Sequence, residues 1–325
     1  LIWGCLLYGA AGVAPLLLDS LAAIVAARLV LGVAEAALIT ISATLIADYW
    51  DDKGRRFWLT AQGISGPFLS SAVIAASGLL AAQTWNAVFS LYFLAFPLAL
   101  ACWAVLPEPA VGSRADAKAG EDAEAVPLLR LILPLLMATL ASSTLFYIWI
   151  VQGGLAFREV GVLDPARQGS IFALAHLAVI GGALLFAASS RFLSAAGQTA
   201  LVLAIMGAGL LLIGSAVGER SMTIGLIIQQ TAAGMSVPTL VRWAHDILPP
   251  AMRGRGMGAW SAAFFAGQFV SPVLFGLAAS TQGGVLDRFA LFGSGGLAIA
   301  LLLLVIGWFM GRQVGKPLEQ LTDRV

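Results

Sequence analysis

Arg28 and Glu35 stand seven residues apart in the stretch RLVLGVAEAALITISATLIADYWDDKGRR, which runs from Arg28 to Arg56. Seven residues are two turns of α-helix, so the pair shares a face at about 10 Å. The stretch opens with an apolar run long enough to lie in hydrocarbon. There, each ionised side chain costs about 2.5–3.5 kcal/mol on insertion scales. Two such costs in one span ask for a reason. A carboxylate at that depth can take up and release a proton, and a guanidinium beside it can tune it or hold an anionic group. The bland alternative is a structural ion pair or a hydrogen bond to a neighbouring helix. Of the 17 acidic residues, Glu35 is the only one deep inside an apolar run.

Other polar groups lie inside apolar runs. His176 carries an imidazole, which titrates near neutral pH and suits proton relay, although a lone His on a helix is more often a packing residue. Gln229, Gln230 and Thr231 form one polar run, and Ser142, Ser143, Thr144, Tyr147 and Trp149 form another. Both fit the wall of an aqueous cavity. Both also fit amide and hydroxyl contacts between membrane helices, with the aromatic members as interface anchors. Gly254, Gly256 and Gly258 lack the spacing of a dinucleotide loop, and no strand precedes them. No zinc spacing, nucleophile elbow or Walker loop occurs. Cys5 and Cys102 lie in apolar runs without CxxC spacing and read as small buried hydrophobes. Neither a metal nor a cofactor is expected, and no enzyme activity or nucleic-acid partner is indicated.

The elements that must position these groups follow from composition. The chain has 325 residues, 60% hydrophobic and 11% charged, with mean hydropathy +0.93. Soluble domains carry about 25% charged residues, so a polytopic membrane protein is the class. At about 20 residues per crossing, ten spans are expected, near 1–18, 21–49, 57–81, 85–106, 127–151, 169–188, 197–217, 222–247, 257–280 and 289–311. Alternating them puts thirteen cations on one side, among them Lys53, Arg55, Arg114, Arg130, Arg191, Arg242, Arg253 and Arg312. The other side receives Arg158, Arg167, Arg220 and Arg288. The richer side is therefore expected to be cytoplasmic.

One connector is long. Residues 107–126, rich in Ala, Glu and Asp, read as a cytoplasmic linker between a first bundle, 1–106, and a second, 127–325. The halves echo one another. Asp48 precedes Arg55 by seven residues and Asp246 precedes Arg253 by seven, an offset of 198. The span after each pair carries a proline, Pro67 after Gly66 and Pro272 after Ser271. Internal duplication of this kind is a known transporter construction. Six spans follow the linker and four precede it, so two further spans are expected before Leu1. The Asp–Arg pairs read as a conformational latch, with ordinary solvated helix ends as the alternative.

These residues resemble those of the major facilitator superfamily. Arg28-Leu-Val-Leu-Gly32 and the acidic-to-arginine loop Asp48–Arg56 resemble that family's fourth helix and the loop after it. AQGISGPFLSS, residues 61–71, resembles the proline motif of its antiporters, although Gln62 stands where that motif carries glycine. HDILPPAMRGRGMGAW and AGQFVSP are similar to the equivalent stretches of the family's second half. The resemblance implies an all-α membrane protein of two pseudo-repeated helix bundles around a central cavity, with ten of the usual twelve helices here. It implies a helix-packing role for Gln62, Gly66, Pro67, Gly267 and Pro272.

Together, residues and resemblance lead to a secondary active transporter working by alternating access in proton-coupled efflux. Glu35 and His176 are the proton-coupling candidates. Arg28, Glu35, Tyr147, Gln229 and Gln230 are the substrate candidates. Proton-coupled uptake of an organic anion held by Arg28, and a non-transporting membrane binding protein or fragment, are the alternatives. The partners expected are a small-molecule substrate, protons and the lipid bilayer of a bacterial inner membrane, with linker and C-terminus cytoplasmic.

Overall fold

In hydrocarbon a backbone must satisfy its own hydrogen bonds, and runs this apolar do so as helices. The computed structural model describes residues 1–106, 128–249, 252–280 and 283–322. Within its helices, side chains 43–44, 47–48, 52, 55–56, 59–60, 63–64, 128–130 and 307–322 lie outside that description, as does the expected linker, 107–126. The helices are α1 (Ile2–Val13), α2 (Leu21–Tyr49), α3 (Asp52–Ala81), α4 (Ala95–Val105), α5 (Leu128–Glu159), α6 (Pro165–His176), α7 (Ala178–Ser189), α8 (Ala195–Gly214), α9 (Glu219–Ile247), α10 (Arg253–Leu277) and α11 (Val285–Thr322). A 3-10 segment, Ala87–Leu94, leads into α4. No strand occurs among the described residues.

Among the described residues, eight segments are long and apolar enough to cross a membrane, from Leu21–Ser42 to Val285–Ile306. The protein is an integral membrane protein. The first of the ten expected spans is shorter as an apolar helix, Ile2–Leu16, and the third, within α3, is apolar over Ser65–Ala81 among its described side chains. The sixth is broken into α6 and α7 at Leu177. There the amides of Leu177 and Ile180 donate to carbonyls three residues back, Leu174 and Leu177, at 3.3 and 3.1 Å. That is a local 3-10 tightening.

The chain forms two compact units, 1–117 with 164–173, and 118–163 with 174–325. In the first, α1 packs on α2, on Ala87–Leu94 and on α4. Glycine allows the approach: a Cβ at Gly12 would collide with the Tyr92 ring, and one at Gly9 would press Ala95 and Phe96 at 3.1 Å. Gly78 of α3 meets Gly169 of α6, where a Cβ on Gly78 would come within 2.7 Å of the opposing Cα. That contact brings 164–173 into the first unit.

In the second unit α8 is the centre, packed on α9 and α11. Small residues again set the spacing. A Cβ at Gly209 would stand 2.6 Å from the Gln229 amide nitrogen, and one at Gly293 2.6 Å from that of Leu211. Leu203, Met206, Leu210, Ile213, Met222 and Leu226 fill the space between, all fully buried. Dispersion between closely fitted helices, rather than expulsion of water, stabilises such contacts in lipid.

Candidate functional site

Helix α2 turns one stripe inward. Arg28, Leu31, Glu35 and Leu38 follow one another at intervals of three and four residues, the period of a single helix face. Leu31 is buried, Arg28 is half-buried, and Glu35 is exposed at the edge of the stripe. The arginine is engaged by its own unit. Its Nη2 donates to the carbonyls of Ala11 and Gly12, at 2.9 and 3.0 Å. These are among the last carbonyls of α1, which lack partners inside the helix and carry the negative end of its dipole. The guanidinium also lies over two rings of the 3-10 segment, 5.1 Å from the Phe89 centroid and 5.4 Å from that of Tyr92. Charged hydrogen bonds contribute about 1.5–3 kcal/mol each, so two of them, with two ring contacts, offset much of the cost of seating the charge.

Glu35 has a different setting. Among the described residues it has no ion pair, with Arg28 or any other cation. Its carboxylate and the Arg28 guanidinium both act through space on the Tyr8 hydroxyl, which shares a hydrogen bond with Tyr92. The two tyrosine rings lie 5.3 Å apart at 59°. The expected Arg28/Glu35 pair is therefore part of a five-membered cluster with Tyr8, Phe89 and Tyr92. In chemical terms the cluster offers one carboxylate without a cation beside two phenols, next to a guanidinium already turned to backbone.

The candidates of the second unit are enclosed. Gln229 and Gln230 are fully buried in α9. Nδ1 of His176 and Oε1 of Gln230 are 3.0 Å apart, and Nε2 of Gln230 donates to Oε1 of Gln229 at 2.8 Å. The chain ends on Gln229 Nε2, a buried donor without a partner. The Ser142 and Ser236 hydroxyls meet at 2.8 Å across the contact of α5 with α9. Tyr147 is half-buried, edge-on to Phe146 and Phe264, at 5.0 and 6.0 Å between centroids.

At the end of α9, Asp246 lies 3.8 Å from Arg242 Nε, one turn back. Arg242 does more than pair with it. Its Nη1 donates to Oε1 of buried Gln198 at 2.7 Å and to the Ser190 carbonyl at 3.2 Å. Gln198 in turn donates to Ser189 Oγ and to the Phe186 carbonyl. Arg242 thus ties the α7–α8 turn to α9. Arg253 is exposed at the start of α10. Asp48 and Arg55 lie outside the described side chains.

The two proline motifs differ. Gly267 of α10 is buried, and a Cβ there would strike the Ser143 hydroxyl and come within 2.8 Å of the Thr144 amide, with Pro272 one turn further on. Gly66 and Gln62 of α3 are exposed, and a Cβ at Gly66 would meet nothing within 4 Å; Pro67 is half-buried beside them.

Sequence reasoning missed Tyr8, Phe89, Tyr92, Gln198 and Arg242 as members of these clusters. The chain has only four tyrosines, and Tyr8 and Tyr92 are among those inside apolar runs; that scarcity was the available signal. Arg242 entered only as one cation in a count.

No protein-family model matches the sequence, and no curated protein matches it. Solved structures do match. A POT family transporter in complex with a thioalcohol-conjugated peptide superposes with TM-score 0.72 at 12% identity, over 94% of this chain and 80% of that one. A mutant of the peptide transporter POT gives 0.71 at 15%, over 96% and 80%. A bacterial homolog of the human lysosomal transporter Spinster, inward-facing and unoccupied, gives 0.63 at 14%, over 94% and 80%. The fold is that of the major facilitator transporters. At these identities the likeness is one of fold. Within that major facilitator fold, the two-bundle, all-α architecture expected from the repeat is present, and the matched proteins are transporters rather than enzymes.

Proposed function

We propose that the protein is a secondary active transporter that moves a small molecule across a bacterial inner membrane by alternating access, in proton-coupled efflux. The observation that carries this reading is Glu35, an exposed carboxylate without a cation partner among the described residues, in an apolar run of α2 whose other charge is Arg28. Intramembrane ionisable groups of this sort mark pathways and proton relays. In this reading protonation of Glu35 biases which of two states is favoured, and a substrate acts by binding those states unequally. The fold supports the transporter class, and efflux rests on the partial antiporter motif around Gly66 and Pro67.

Arg28 counts against the alternative of organic-anion uptake. Its Nη2 is already directed at α1 carbonyls and its face at two rings. The enclosed His176–Gln230–Gln229 chain, with Tyr147, supports a cohesive role within the second unit. A latch in which Asp246 and Arg253, with Asp48 and Arg55 in the repeat, bias one state rests on the sequence repeat, since Asp246 lies beside Arg242 of its own helix.

The test is transport by the full-length protein in proteoliposomes, with an imposed inward proton gradient and a panel of ring-bearing amines, organic anions and a dipeptide. Net substrate exit coupled to proton entry is expected, and Glu35→Gln should lose the response to the gradient. Net substrate entry would turn the reading to symport. Full activity with unchanged pH dependence in Glu35→Gln would sink the proton role, and no flux of any compound would leave the non-transporting reading.

A further inference from the structure

The first unit holds a cavity of about 450 Å³ beside the Arg28 cluster, with which it shares three aromatic rings. It lies among α1, α2, α3 and the Ala87–Leu94 segment, with Cys5, Tyr8, Leu38, Val73, Phe89 and Tyr92 on its wall. That volume falls within the roughly 300–1,000 Å³ of small-molecule sites. No charged side chain lines it. Ser77 also reaches the wall, but its hydroxyl donates to the Val73 carbonyl at 2.8 Å and is spent. The remaining polar features are the Tyr8 and Tyr92 phenols and the Cys5 thiol.

Charge decides what such a wall accepts. Arg28 does not line the cavity, but it sits on Phe89 and Tyr92, two rings that do. A cation placed inside would face that guanidinium across a single layer of rings, which already give their negative faces to it. An anion inside would meet no charged donor on the wall, since Arg28 does not line it and turns its Nη2 to the carbonyls of Ala11 and Gly12. Burying an unpaired charge is costly in either sign. Three aromatic rings on one wall favour a flat ring over an acyl chain, because ring pairs contribute about 0.5–1.5 kcal/mol beyond the area they bury.

We propose that this cavity takes the uncharged, ring-bearing apolar body of an amphipathic molecule, its polar end at the Tyr8 and Tyr92 hydroxyls beside Glu35. Arg28 is then a positioning residue that holds the aromatic wall. That the molecule is the substrate rests on the transporter reading; that it binds does not. The proposal gives the transported compound a class, an uncharged or weakly polar aromatic, and removes organic anions from it.

Cys5 reports on the cavity from within, and Cys102 is the only other thiol in the chain. In full-length Cys102→Ser protein in nanodiscs, N-phenylmaleimide should label Cys5. Saturating 2-naphthol should slow that labelling at least tenfold, whereas 2-naphthoate, a naphthyl trimethylammonium and dodecanol should not. Leu38→Trp or Val73→Trp should fill the cavity and abolish the protection, two positions guarding against one failing to fold. Arg28→Lys should weaken protection while the protein still extracts as a monodisperse species. Protection by naphthoate or dodecanol equal to that by naphthol would overturn the proposal, as would no protection by naphthol. A Cys5 that never labels would show the cavity closed to ring-sized molecules, and would overturn it too. Naphthol protection in a protein that moves no compound would overturn the transporter reading and leave the cavity standing.

Discussion

The two units treat their candidate polar residues differently. In the second, several answer one another: Ser142 meets Ser236, His176 meets Gln230, and Arg242 meets Gln198 and Asp246, while Gln229 Nε2 is left as a buried donor without a partner among the described residues. In the first, Arg28 is committed to backbone and rings, while Glu35 keeps no cation among the described residues. Packing follows the same division. Of the described residues in Leu21–Ser42 only Leu31 and Ala34 are buried, against more than half of Ala195–Gly214. A polar group in a membrane helix is cohesive when another polar group consumes it and available when none does. Sequence position alone does not distinguish the two.

The comparison can be broken by exchanging losses between the units. Glu35→Gln should cause the largest change in function, losing the flux response to a proton gradient, with a melting temperature in detergent close to that of the parent. A large drop in stability instead would make Glu35 a structural residue like its second-unit counterparts. The largest structural change should come from Gly209→Val, which drives a branched side chain into the α9 backbone near Gln229. Overpacking of that kind costs about 1–3 kcal/mol or more, and a thermal-shift measurement should show it.

Arg28→Ala comes next. It frees two α1 carbonyls and two ring faces, for an expected loss of about 2 kcal/mol. Limited proteolysis should find that loss confined to the first unit. Gln230→Leu sharpens the other side. It should cost about 1 kcal/mol, within the range measured for hydrogen bonds between membrane helices, while transport keeps its substrate profile. A changed profile would make Gln230 a substrate ligand after all. Ser142→Ala should be the smallest effect, about 0.6 kcal/mol.

Much of the fold was legible because bilayer thickness and composition leave few choices. Runs of about 20 apolar residues must be helices. The site was legible only in part. Arg28 and Glu35 stood out because charge in hydrocarbon needs a reason. Their partners did not, since Tyr8 lies 20 residues before Arg28 and Tyr92 lies 64 after it. Nothing local marks such distant neighbours. The polar runs at Ser142–Thr144 and Gln229–Thr231 suited a cavity wall and a helix contact equally well, and the sequence did not say that Ser142 meets Ser236 or that Gln230 meets His176.

What the sequence determined by itself is the membrane class and the helical segments. These follow from the solvent, which penalises charge and unpaired backbone wherever they fall. Only the tertiary structure decided which of the two charges is spent. Arg28 ends against the last carbonyls of α1 because Gly12 lets Tyr92 and that helix end come together, and no rule of spacing within α2 contains that meeting. Glu35, two turns on, has no such neighbour among the described residues to take its charge.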